Sequence, residues 1–216
     1  MSDATPLYDR CQIDVTYGYA VSMDPRTTRS RTALVAAVYR LASSRDISEI
    51  TVAEITREAG LTRDTFYRHA SDPVDLLATA LHAELAVDMA GFHRLPATGN
   101  GDGTSVFTEP TRALLTHVAA HASVYRQSAG GRLGDRLRAV LMETARDILA
   151  SHLRGHPEIA PPQLPADDPR AFDMVVAYAA GGTIAAVETW LAHGDITDID
   201  QAVGIILSAA PQWWLG

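Results

Sequence analysis

Residues 51–70 read TVAEITREAGLTRDTFYRHA, and their spacing decides how the rest of the chain is understood. Thr51 followed three places later by Glu54 is the pattern of a capping box, in which a hydroxyl and a carboxylate satisfy the orphan amides of a helix start. Val52, Ile55 and Ala59 recur at the three-and-four spacing of one apolar stripe, whereas Glu54, Arg57 and Glu58 take the other face. Gly60 ends this helix in the left-handed conformation that glycine adopts without strain. Leu61 follows as an apolar plug. Thr62 is a ready N-cap for a second helix running through Arg63, Asp64, Thr65, Phe66, Tyr67, Arg68 and His69. Two short helices joined by a tight turn, the second aromatic and basic, are the layout of a DNA-reading helix-turn-helix.

The same signals continue on both sides. Asp24-Pro25 marks the start of a preceding helix whose buried stripe is Leu34, Ala37, Val38 and Leu41, with Arg26, Arg29 and Arg31 near its beginning. Asp72 caps a fourth helix, Pro73 suits its first position, and Asp75 adds negative charge to its first turn. This helix runs to about Arg94 with Leu76, Leu77, Ala80, Leu81, Leu85 and Met89 on its apolar side, and it links two domains.

With these residues in place, the segment resembles the N-terminal domain of the TetR family of bacterial transcriptional regulators. Thr51, Ile55, Ala59, Gly60, Leu61, Thr62, Phe66, Tyr67 and His69 match the family pattern, while Ala70 stands where Phe is usual and Pro73 stands near a usual Lys. The resemblance implies an all-α chain with an N-terminal three-helix domain holding the helix-turn-helix and a C-terminal helical domain for ligand binding and dimerisation. It implies a homodimer that binds a palindromic operator, and a repressor that a small-molecule effector releases. The third helix would then enter the major groove. Arg63 and Asp64, near its N-terminus, are expected to face base edges together with Arg68, while Thr51, Thr62, Tyr67 and His69 position phosphates, with Arg26 and Arg29 as further DNA contacts. The family pattern supports the phosphate role for Tyr67 most directly.

Charge agrees with a confined DNA surface. The net charge of −8 excludes a protein that coats nucleic acid indiscriminately, yet residues 24–70 carry eight arginines (26, 29, 31, 40, 45, 57, 63, 68) against six acids (24, 46, 49, 54, 58, 64), a local +2. A basic head on an acidic body keeps phosphate attraction on one face.

The 216 residues suffice for one small and one larger helical domain. Residues 1–23 show neither helical nor strand period and read as a flexible arm; 24–71 form the DNA-binding domain and 72–216 the ligand-binding and dimerisation domain. Cys11 is the single cysteine, so an intramolecular disulfide is impossible. The N-terminus has no basic region followed by an apolar run, and no uninterrupted apolar stretch approaches the ~20 residues of a membrane span. A cytoplasmic location is therefore expected.

Beyond a loop at residues 95–104, LPATGNGDGT, helices are expected around 109–127, then from Leu133 to Leu149, then from Asp168-Pro169 to His193, and finally one opened by Thr197 and Asp200. Gly130-Gly131, Gly194 and Pro211 mark ends. The last two helices are apolar around most of their circumference and hold Ala177, Ala180, Gly181, Ala185 and Gly204, which permit close backbone approach across a two-fold axis. Candidate pocket residues are Met89, Phe92, His117, His121, Tyr125 and Tyr178, whose apolar and aromatic character suggests a hydrophobic effector. His117 and His121, four apart, share a helix face as two metal ligands would, but the sequence shows no third ligand. They read as polar groups of the pocket, with no metal or cofactor expected. The chain has no phosphate-cradling glycine loop, no Gly-x-Ser-x-Gly elbow and no His-Glu-x-x-His helix, and an enzyme is not expected. A helical small-molecule-binding protein or enzyme without DNA-binding activity is the alternative.

Overall fold

A computed structural model describes residues 25–97, 105–127, 131–161, 168–193 and 196–210. The arm at 1–23, the Asp24 cap, and Gly130, Gly194 and Pro211 lie outside the described residues, as does most of the 95–104 loop. Among the described residues there are nine α-helices and no strand: α1 (Pro25–Ala42), α2 (Val52–Ala59), α3 (Arg63–Tyr67), α4 (Pro73–Met89), α5 (Thr108–Ala120), α6 (Ala122–Gln127), α7 (Arg132–Gly155), α8 (Pro169–Ala192) and α9 (Ile199–Ser208). The all-α expectation holds.

The local signals act as their chemistry requires. Thr51 accepts from the Glu54 amide, and the Glu54 carboxylate accepts in return from the Thr51 amide at 2.9 Å, which completes the capping box. Gly60 sits at φ 66, where a Cβ would strain the backbone. Thr62 accepts from Thr65 N, and Asp72 from Asp75 N at 2.8 Å.

Four boundaries differ from the sequence expectation. α3 stops at Tyr67, so His69 lies beyond the helix, where its ring bonds Ser30 of α1 and the Asp72 cap follows at once. α4 proper ends at Met89 and tightens into a 3₁₀ turn over Ala90–Arg94. The helix expected over 109–127 is two, because His121 leaves helical geometry (φ −114, ψ 23) and its ring is held from two sides by Glu84 and Tyr39. The last helix is capped by Asp198, which accepts from Gln201 N at 2.8 Å, and starts at Ile199.

Two hydrophobic clusters hold the helices together. The first joins Leu34, Ala37 and Val38 of α1, Ile55 of α2 and Phe66 of α3 to Leu76, Leu77 and Leu81 of α4, and closes with Leu133 and Leu137 of α7. The second packs Leu85 and Met89 of α4 with Leu114, Leu115 and Val118 of α5, Leu141, Ile148 and Leu153 of α7, Val176, Ala180 and Ile184 of α8, and Val203 of α9. α4, α6 and α7 contribute to both clusters, α6 through Ala122 and Val124, and so join head to body. Arg132 pairs with Asp72, and Arg136 with Asp75 at 3.0 Å, which clasps their N-terminal ends. By length and composition alone α8 is long and apolar enough to cross a membrane, and a third of its most apolar stretch is buried, in the second cluster.

Candidate DNA interface and effector region

α3 is five residues long, yet it is fixed from three directions. Phe66 is fully buried (0% exposed) in the first cluster, its ring edge to face with Tyr67 at 5.6 Å between centroids. Thr62 caps its start, and Ala70 N donates to Phe66 O at its end. His69 closes the third contact: Ser30 Oγ already donates to Thr27 O, so the His69 Nε2–H donates to Ser30 Oγ at 2.8 Å. Burial, then the nearby charges of Arg31 and Arg68, push the His69 pKa down, so this ring is neutral at pH 7. Ala70, where the resembled pattern has Phe, is small and buried.

What α3 leaves in solvent includes the side chains expected to face base edges and the Tyr67 expected to meet phosphate. Arg63, Asp64 and Arg68 are exposed, and Tyr67 is 60% exposed. Spacing puts Arg63 beside Tyr67 and Asp64 beside Arg68 on the helix surface. Arg68 Nη2 donates to Thr65 Oγ1 at 3.0 Å, while Arg63 makes no ion pair among the described residues. Other head arginines are engaged: Arg40 with Glu58 at 2.9 Å and Arg45 with Glu54 at 3.0 Å. Thr51 and Thr62 are exposed, but both hydroxyls are committed to caps. Arg26 and Arg29 are exposed on the first turns of α1, where Arg29 Nε donates to Pro25 O.

The pocket candidates fall into three groups. Met89 is buried, and Phe92 packs half-buried against the second cluster. His117, His121 and Tyr125 come together where α5 and α6 meet α4. Tyr178 departs from the expectation: it is 76% exposed on α8, one turn from the equally exposed Met174, because the phase of α8 turns that side away from the core. Two small cavities among the described residues offer about 10 Å³ each, room for a single water. One is lined by Phe107, Leu149, His152 and Val176 and the other by Ala42, Ile47, Leu77 and Leu133, so none of the six candidates lines either.

The polar group around His117 is built from α1, α4, α5 and α6. His121 Nε2 donates to Glu84 Oε2 of α4 at 2.8 Å, and its ring stacks on Tyr39 of α1 at 5.3 Å and 21°. His117 Nδ1 lies 3.5 Å from Asp88 Oδ2, and the two imidazoles are 5.1 Å apart. Burial pushes the His117 pKa down to about 4, helped by His121, so this ring is neutral. Burial pushes Glu84 up, but hydrogen bonds from His121 and Tyr39 outweigh it and hold the carboxyl below its usual range. Burial, then the Glu84 charge, pushes Tyr125 upward, so its hydroxyl stays protonated. Glu84 and Tyr39 are the residues that sequence reasoning missed. The only available signal was Glu84 and Asp88, four apart like His117 and His121.

No protein-family model matches the chain, and no curated protein matches it in sequence. Solved structures do match in fold. The dihydroxyacetone kinase operon activator DhaS superposes with a TM-score of 0.58 at 15% identity, covering 83% of this chain and 94% of that one. A TetR-family transcriptional regulator from Streptomyces coelicolor gives 0.53 at 18% identity, over 84% and 78%. NalD of Pseudomonas aeruginosa, the secondary repressor of the MexAB-OprM multidrug efflux pump, gives 0.52 at 13% identity, over 88% and 99%. At such identities the likeness is one of fold, and it extends over both the helix-turn-helix head and the helical body. The chain therefore has the all-α fold of the TetR-family transcriptional regulators.

Proposed function

We propose that this protein is a ligand-responsive transcriptional regulator, a repressor that binds a palindromic duplex operator as a homodimer and leaves it when an effector occupies the body. The observation that carries this reading is α3: a capped, back-packed helix start that exposes Arg63, Asp64, Tyr67 and Arg68 together. A rigid element with its polar side chains facing solvent is what base readout needs. Residues 24–71 act as the DNA-binding domain and 72–216 as the ligand-binding and dimerisation domain. α8 and α9 supply the dimer face, on which Met174, Tyr178 and Ile205 are exposed in the single chain. The protein works in the cytoplasm and catalyses nothing.

Release follows from differential binding. An effector empties the operator only if it favours the state whose heads are wrongly spaced for two half-sites one helical turn apart. The region between α1, α4 and α5 suits that task, because it touches the head through Tyr39 and the body through Glu84, His117 and Tyr125. The test is selection of bound sequences from a random duplex pool with purified protein near physiological salt. A two-fold symmetric consensus is expected, and transcription from a promoter overlapping it should fall when the protein is present. Enrichment of no sequence would overturn the reading.

A further inference from the structure

We infer that Glu84, His117 and His121 bind one divalent first-row transition-metal ion of the zinc class, and that this ion is the effector. The effector role rests on the regulator reading above; the site itself does not. The Glu84 carboxylate and one nitrogen of each histidine lie within 4.8 Å of one another. Bonds of about 2.0–2.1 Å in a tetrahedral site set donor separations of about 3.3 Å, so small side-chain rotations bring the three donors into place. The 2.8 Å bond between His121 and Glu84 opens in the process, and the His121 proton shifts from Nε2 to Nδ1 so that the Nε2 lone pair is free to ligate.

His117 points to a ligand independently of that proximity. It is 3% exposed, and its Nε2 is buried with no hydrogen-bond partner, at the desolvation cost of an unsatisfied polar atom. Its Nδ1 faces Asp88, the carboxylate–histidine arrangement that orients an imidazole toward a metal through the other nitrogen. Two imidazoles with one carboxylate select zinc-class ions over magnesium or calcium, which prefer all-oxygen sites. Three protein donors leave a fourth position open to solvent or anion.

The location supplies the coupling. Parting Glu84 from His121 around the ion moves the imidazole that stacks on Tyr39, and Tyr39 stands beside Arg40, which holds Glu58 of α2. One ion thus pulls on α1, α4 and α5 at once, at the junction of head and body.

Full-length, tag-free protein is titrated with Co(II), read by visible absorption, and with Zn(II), read by calorimetry. Expected are one site per chain, tetrahedral Co(II) bands that Zn(II) displaces, and affinity lower by about a hundredfold or more in Glu84→Gln and in His121→Asn, more than an outer partner alone contributes. Both variants sit at half-buried positions, and circular dichroism without metal confirms that they fold. No binding to the folded wild type, or unchanged affinity in both variants, would overturn the site. Operator affinity is then compared with and without Zn(II) and should change at least tenfold in the wild type only. An unchanged affinity with the site loaded would overturn the effector role, whereas a loaded site on a protein that selects no DNA would defeat the regulator reading alone.

Discussion

At the scale of single residues, Arg63 and Phe66 divide the labour of α3. Phe66 spends its side chain on the core and has no surface left to read with, while Arg63 is exposed and without an ion pair among the described residues. An arginine at the first position of a recognition helix reaches guanine in bidentate fashion, so Arg63→Ala should cost roughly 1–3 kcal/mol on the operator and relax preference at particular base pairs. Binding measured across a set of single-base operator variants tests this. Equal weakening on every sequence would instead make Arg63 a phosphate contact. His69 illustrates the opposite outcome: it matches the resembled pattern, yet its neutral ring is engaged with Ser30, which ties α3 to α1.

At the scale of the element, α2 depends on its first turn. Eight residues are too few for a helix to persist on propensity, and the cap offsets the missing hydrogen bonds. Glu54 is the titratable part of that cap. Hydrogen bonds from the Thr51 amide and hydroxyl, then from Arg45, lower its pKa from 4.5 to about 2. A carboxyl whose folded pKa is depressed contributes stability that is complete above its unfolded value, near 4.5, and is lost as pH falls through about 2. Glu54→Ala should therefore melt below the wild type at pH 6, with the gap closing between pH 4.5 and pH 2. Thermal melts of both proteins across that range provide the check, and a gap that stays constant with pH refutes the capping role of the charge.

At the scale of the whole molecule, α4 and α7 tie head to body, because each contributes to both clusters and their ends are joined through Asp72–Arg132 and Asp75–Arg136. One face of α8 and α9 is apolar but unburied. Met174 is 71% exposed, Tyr178 76% and Ile205 62%, and Gly182, Ala185 and Gly204 lie exposed on the same two helices. Single apolar residues on a surface are ordinary, whereas several on adjacent helices mark an interface. Tyr178→Arg and Ile205→Glu change side chains that the single chain does not bury, so each should yield a folded monomer. Light scattering after gel filtration, with circular dichroism as the control for folding, decides the matter. A dimer that survives both changes lies on another surface.

The chain by itself determined what acts within about four residues: the Thr51–Glu54 box, the left-handed Gly60, the Thr62 and Asp72 caps, and the apolar stripe of each helix. Those signals are local because a helix satisfies its backbone locally, and they sufficed for an all-α fold with a helix-turn-helix. Tertiary structure decided what joins distant positions. Glu84 meets His121 across 37 residues and Ser30 meets His69 across 39, and no spacing rule links such pairs. The break at His121 and the outward turn of Tyr178 belong to the same class. A helical period states which residues share a face, but the neighbour that covers that face is set by how all the helices pack, and only the packed chain shows whether a histidine pair finds its carboxylate.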